Sequence, residues 1–186
     1  LEIHAFTMLA GFGSTLMSHT ATSGITICLT GDTGAGKTAA LNSALSIWGD
    51  PDLLSTTEQT TTGNAMVGRY LALHNIPFGL DEVGNIDGKI LSNLIHKISH
   101  GKAKLRMQAS INAERETEYS AALVAVFTSN HSLYDKLSIL KKDPNGEVAR
   151  LIEIYMRKPQ LFIDSPSTAR QLFNPFKKNY GWAGPV

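Results

Sequence analysis

The chain has 186 residues, 42% of them hydrophobic and 18% charged, and a formal net charge of +1. That length and apolar content suit one domain with its own core and exclude a disordered chain. The near balance of charge excludes a global field drawing the chain to nucleic acid or membrane, so any such contact must come from a local cluster.

The single cysteine, Cys28, lies in an apolar run and reads as a buried core thiol. No internal disulfide framework is possible, which suits a reducing cytoplasm. No stretch approaches the roughly 20 apolar residues of a membrane span, and the first residues do not read as a signal peptide.

In chain order, Leu1 to Met17 reads as an apolar helix with Gly11 and Gly13 as breaks. "ATSG" is a turn, and "ITICLT" (Ile25 to Thr30) is a β-branched strand running into the glycine-rich "GDTGAGKT". "KTAALNSALSIW" carries Ala and Leu at helical spacing and ends at Gly49, Asp50 and Pro51. "DLLSTT" is a candidate short strand. "TGNAMVGRYLALHN" is a helix with Thr60, Thr61, Thr62 and Asn64 as candidate caps. "IPFGLDEV" (Ile76 to Val83) is a buried strand closing on two carboxylates, and "GKILSNLIHKISHG" is an amphipathic helix with Ile90, Leu94, Ile95 and Ile98 on one face. "KAKLRMQASINAERETEY" reads as an extended hairpin or loop. "AALVAVFTSN" is an apolar strand, "SLYDKLSILKK" a short helix, "DPNGE" a turn and "LIEIYM" a further strand. From Pro159 the sequence supports no assignment. Apolar strands alternating with helices predict an α/β fold with a mostly parallel sheet covered on both faces.

"GDTGAGKT" fits the phosphate-loop pattern at Gly31, Gly36, Lys37 and Thr38. The backbone of Gly31, Asp32, Thr33, Gly34, Ala35 and Gly36 can aim successive N–H groups at the phosphates of ATP, and the next helix offers its N-terminus. Lys37 is the candidate for neutralising the β- and γ-phosphates, and the Thr38 hydroxyl for ligating Mg2+. The apolar strand ending in Asp81 and Glu82 supplies the other half: Asp81 as the Mg2+ carboxylate, Glu82 as the base that polarises water. A base beside the magnesium aspartate implies hydrolysis, with a strand inserted between the loop strand and the acid strand. A guanine-selecting "NKxD" is absent. Asn130, at the tip of the strand ending "FTSN", is placed to hydrogen-bond the γ-phosphate or hold the attacking water. His96 and His100 have helical spacing but no neighbouring ligand to complete a zinc set.

The order of "GDTGAGKT", "IPFGLDEV", "ISHGKAKLRMQ", "LVAVFTSN" and "GEVARLIEI" resembles the ATPase core of phage and mobile-element primase–helicases, of the superfamily III or related AAA+ type. The resemblance spans roughly Gly24 to Tyr155 and places Asn130 at the sensor position. It implies an ATP-dependent DNA helicase motor in a bacterial or phage-infected cell, assembled as a hexameric ring on single-stranded DNA and fused to, or working with, a primase or polymerase. It also makes Arg150 a candidate finger reaching a neighbouring subunit's γ-phosphate. The doubled arginine of some relatives is missing here, and the alternative is a solvated Arg150 or one paired with Glu147 or Glu153.

The basic stretch after Gly101 falls where such proteins carry a pore hairpin. In an extended hairpin Lys102, Lys104 and Arg106 share a face that can follow a DNA backbone without reading its sequence; the alternative is a solvated charged loop. The expected organisation is a helical lead-in over 1–23, the ATPase core with its hairpin insertion over 24–158, and a tail over 159–186 leading to a lid or further domain of a larger protein. Two other readings stay open: a nucleotide-dependent oligomeric scaffold, which predicts slow turnover indifferent to DNA, and an ATPase that loads or packages DNA without unwinding it.

Overall fold

Strand β1 (Gly24–Thr30) organises the molecule, because it carries the glycine-rich loop at its end and lies between two parallel neighbours. The computed structural model describes residues 2–20, 23–57, 62–101, 120–140, 145–158, 171, 174–175 and 177–181. The expected basic hairpin with Lys102, Lys104 and Arg106, and most of the tail after Pro159, lie outside the described residues.

The other elements are α1 (Glu2–Gly13), followed by a 3-10 turn at Ser14–His19, then α2 (Lys37–Ser46), α3 (Pro51–Leu54), β2 (Ser55–Thr57), α4 (Gly63–Leu73) and β3 (Phe78–Asp81). After a 3-10 turn at Val83–Asn85 come α5 (Gly88–His100), β4 (Leu123–Ser129), α6 (Leu133–Leu140), α7 (Asn145–Val148) and β5 (Leu151–Tyr155). The five strands form one sheet in the order β2-β3-β4-β1-β5, and each adjacent pair is parallel. The mostly parallel α/β architecture is therefore present, with β4 inserted between the loop strand and the acid strand.

The sheet is apolar on both faces, as parallel strands joined by helical crossovers must be. Along β4, Leu123, Ala125 and Phe127 face one core, which holds Tyr70, Phe78, Leu91, Leu94, Ile95, Ile98 and Leu137 from the α4, α5 and α6 side. The alternating Val124 and Val126 face the other, with Ile27, Leu29, Leu41, Leu45 and Met156. Cys28 is fully buried.

Three local expectations change. Gly11 does not break α1: the helix runs through it, and its missing side chain lets α1 lie close against α2, since a Cβ there would come 2.6 Å from the Ala44 carbonyl oxygen. "DLLSTT" is half helix: Asp50 caps Asp52 N at 3.0 Å and Pro51 opens one helical turn, so only Ser55–Thr57 pair as strand. On α5 the buried face is Leu91, Leu94, Ile95 and Ile98, while Ile90 is 40% exposed. Ile90 is one position, about 100°, off the seam, and leans on Gly63 at the start of α4. Asp87 caps α5 through Lys89 N and Ile90 N, and Gly101, at φ 65°, ends it. Of the candidate caps on α4, Thr62 fills the role, accepting from Ala65 N at 3.4 Å.

Candidate functional site

The strand registers bring three tips to one edge of the sheet. Thr30 pairs with Ser129 on one side and with Tyr155 on the other, and Leu80 pairs with Phe127. The loop after β1, Asp81 of β3 and Thr128 to Asn130 of β4 thus meet outside the carboxyl ends of the strands, where parallel sheets hold ligands.

The loop itself is a chain of turns that only small residues allow. Gly31 sits at φ 138°, and a Cβ there would lie 2.2 Å from the Met156 carbonyl oxygen. Ala35 N donates to Asp32 O at 3.2 Å and closes the apex, and Ala40 N donates to Gly36 O at 2.9 Å as α2 begins. On its outer side the loop meets α1: the partly buried His4 imidazole packs on Gly36. Burial lowers the His4 pKa, against a hydrogen bond with the Gly36 backbone.

Lys37, 8% exposed, donates from Nζ to Gly31 O at 2.7 Å, Asp32 O at 2.9 Å and Asn130 Oδ1 at 2.9 Å. The three protons of the ammonium are matched by three acceptors. The Thr38 hydroxyl lies 3.2 and 3.3 Å from the two carboxylate oxygens of Asp81. Glu82 leaves β3 in the left-handed region, φ 58° and ψ 49°, and opens the 3-10 turn that follows. A non-glycine residue held there is uncommon. Thr128 holds it: the side chain is 1% exposed, accepts from Glu82 N at 3.0 Å and donates to Asp81 Oδ1, so one hydroxyl ties both carboxylate residues to β4. From α6, Lys136 Nζ donates to Gly84 O at 2.6 Å and pins the same turn from the far side.

These groups surround a cleft of about 220 Å³ lined by Thr33, Gly34, Gly36, Lys37, Thr38, Ala39, Glu82, Thr128, Ser129 and Asn130. Its walls combine backbone N–H donors, a cation, hydroxyls and a carboxylate, a donor set that fits a polyphosphate with a hard cation of the Mg2+ kind.

Of the residues expected from sequence, Lys37, Thr38, Asp81, Glu82 and Asn130 converge here. Arg150 does not. It precedes β5 at the opposite edge of the sheet, level with Ile25 and roughly 16 Å of strand from Thr30 at about 3.3 Å per residue. Its guanidinium donates to the Gly146 carbonyl oxygen. Nor does Glu153 pair with it: Glu153 Oε2 accepts from Leu133 N at 2.8 Å and Tyr134 N at 3.2 Å, capping α6. Sequence reasoning missed Thr128 and Lys136. A threonine at a strand tip next to an acid-tipped strand was a usable signal for the first; the second had none, since its contact depends on how α6 packs. The rings of His96 and His100 stack with centroids 6.2 Å apart. Among the described residues no helix is long and apolar enough to cross a membrane.

Residues 2–125 match the profile of a family described as a domain of unknown function, DUF927. The chain belongs to this family. No curated protein matches the DUF927 chain. Among solved structures, an active helicase, Cch of SCCmec type IV, superposes with a TM-score of 0.67 at 21% identity, covering 97% of this chain and 32% of that one. The chain thus corresponds to about a third of that helicase, and the likeness establishes a shared P-loop α/β fold. NtrX from Brucella abortus in complex with ATP aligns over 80% of this chain and 36% of its own, with 11% identity and a TM-score of 0.44.

Proposed function

We propose that this DUF927 chain is the ATP-hydrolysing motor core of a helicase-type protein. The observation carrying the proposal is the linked set Thr38–Asp81–Thr128–Glu82 beside a lysine-bearing glycine loop. The likeness in fold to an active helicase supports the same direction.

In this reading the loop amides and Lys37 bind the phosphates. Mg2+, when bound, would screen phosphate charge and polarise the transferred group. Thr38 and Asp81 are the residues that would hold it, already oriented toward each other. Glu82 accepts the proton of the attacking water, with its backbone fixed by Thr128 and by the Lys136-pinned turn. Asn130, hydrogen-bonded to Lys37, senses the phosphate end of the cleft. Hydrolysis drives movement along single-stranded DNA held by Lys102, Lys104 and Arg106 inside a hexameric ring, within a protein that also carries or recruits a primase or polymerase. Since Arg150 lies away from its own cleft, any phosphate it touches belongs to a neighbouring subunit.

The test compares ATP binding and turnover, with and without single-stranded DNA, in the parent protein, Glu82→Gln and Lys37→Ala. Glu82→Gln is expected to bind ATP and lose roughly 100-fold or more in kcat, the usual weight of a general base; Lys37→Ala is expected to lose both. Normal turnover by Glu82→Gln refutes the base assignment. Slow turnover that DNA leaves unchanged refutes the motor reading in favour of a scaffold.

A further inference from the structure

Strand β5 leaves the sheet alongside the glycine loop. Its last pairing, Thr30 with Tyr155, is continued by Met156 N donating to Thr30 O at 2.7 Å, and the Met156 carbonyl lies against Gly31. Met156 is buried, so this exit is anchored in the core. Two residues further, Lys158 extends over the loop. Its Cε lies 3.4 Å from where a Cβ on Gly34 would sit, and among the described residues other than Thr33 to Ala35 no other atom comes within 4 Å of that point. Gly34 itself lines the cleft. Lys158 is exposed and has no hydrogen-bond or ion-pair partner among the described residues.

The charge around the cleft makes that position meaningful. The loop and the acid strand together carry three carboxylates, Asp32, Asp81 and Glu82, and one lysine, Lys37. A polyphosphate entering such a site meets a field that opposes it unless further positive charge is supplied. A divalent cation, when bound, would supply it on the Asp81 side. On the other side of β1, where β5 runs, Lys158 supplies it.

We propose that Lys158 is a second phosphate-binding cation of the nucleotide site, reaching past Gly34 to the phosphates nearest the nucleoside. The proposal rests on the reading of this cleft as a nucleotide site. Because β1 separates β5 from β4 and β3, Lys158 approaches from the β5 side while Glu82 stands on the β3 side, and a contact to a non-reacting phosphate is made equally in ground and transition states. Such a contact lowers KM and leaves kcat alone.

The test measures Mg2+-ATP and Mg2+-ADP affinity by equilibrium dialysis, with steady-state hydrolysis, for the parent protein, Lys158→Ala, Lys158→Glu and Lys158→Arg. Lys158→Ala is expected to weaken ATP binding about fivefold, the upper range for an exposed ion pair, with KM raised and kcat at saturating ATP unchanged. Lys158→Glu is expected to weaken it further and Lys158→Arg to restore it, and affinity in the alanine variant is expected to fall less steeply with salt. ATP affinity within twofold of the parent in both Lys158→Ala and Lys158→Glu overturns the proposal, as does a fall in kcat with KM unchanged. Failure of the parent protein to bind ATP overturns instead the nucleotide-site reading beneath it.

Discussion

Two threonines on adjacent strands allow the same substitution to be made in opposite circumstances. Thr128 and Thr26 are each 1% exposed. The Thr128 hydroxyl donates to the Asp81 carboxylate and accepts from Glu82 N, whereas the Thr26 hydroxyl has no hydrogen-bond partner among the described residues. Valine matches threonine in shape and removes only the hydroxyl's polarity. At position 128 it abolishes a hydrogen bond to a charged group, worth about 1.5–3 kcal/mol, and strands the Glu82 N–H, at about 1 kcal/mol or more. Asp81 keeps the Thr38 hydroxyl and its solvent access, so the net loss is about 2–3 kcal/mol. At about 2–4 °C per kcal/mol for a domain of this size, Tm falls by roughly 5–10 °C. At position 26 the change relieves the burial of an unpaired hydroxyl and stabilises by about 1 kcal/mol. Urea unfolding read from the midpoint at constant m, with calorimetry alongside, measures both. Thr128→Val is also expected to lower ATP turnover, and Thr128→Ser to retain it. Equal stability changes at the two positions, or a Thr128→Val protein as stable and active as the parent, would refute the assignment of Thr128 as the brace of Asp81 and Glu82.

Gly31→Ala is expected to cost about 3 kcal/mol or more, since a backbone at φ 138° and a carbonyl 2.2 Å from the new Cβ cannot both be accommodated; ATP affinity should fall with it, both read by a nucleotide-dependent thermal melt. Burial raises the Tyr70 phenol to about 12, while its hydroxyl donates to Lys97 O and Ala121 O. A raised pKa means the folded state holds the proton more tightly. That contribution is full below pH 10 and is lost as pH climbs from 10 through 12. Tyr70→Phe is expected to flatten the decline in that window, measured by urea midpoints at stepped pH.

The phosphate loop and the acid pair were legible because each is a local pattern with a fixed chemical purpose, and strand alternation was legible because both sheet faces are apolar. What was not legible depends on distance in space. Ile90 and Leu91 are equally apolar, and only the packing of α5 on the sheet decides which is buried. Gly11 looks like a helix breaker until α2 is seen to lie against it. Thr128 resembles a turn residue beside Ser129 and Asn130 until β3 pairs with β4 and puts Asp81 within its reach. Arg150 stands apart: the family resemblance assigned it to a neighbouring subunit's phosphate, and its strand register puts it at the end of the sheet away from its own cleft.

The saturated ammonium of Lys37 has a consequence for how any affinity at this cleft should be understood. On the proposed reading a polyphosphate would not meet a free cation; it would have to displace Gly31 O, Asp32 O and Asn130 Oδ1. Binding is therefore an exchange, and the measured constant is the difference between two ligations of the same nitrogen. The exchange would also hand on a signal, for if Lys37 turned to phosphate, Asn130 would lose its donor and its amide oxygen would be released to another partner. Occupancy of the loop would thereby be felt at the tip of β4, the strand that also carries Thr128 and, through it, the two carboxylates.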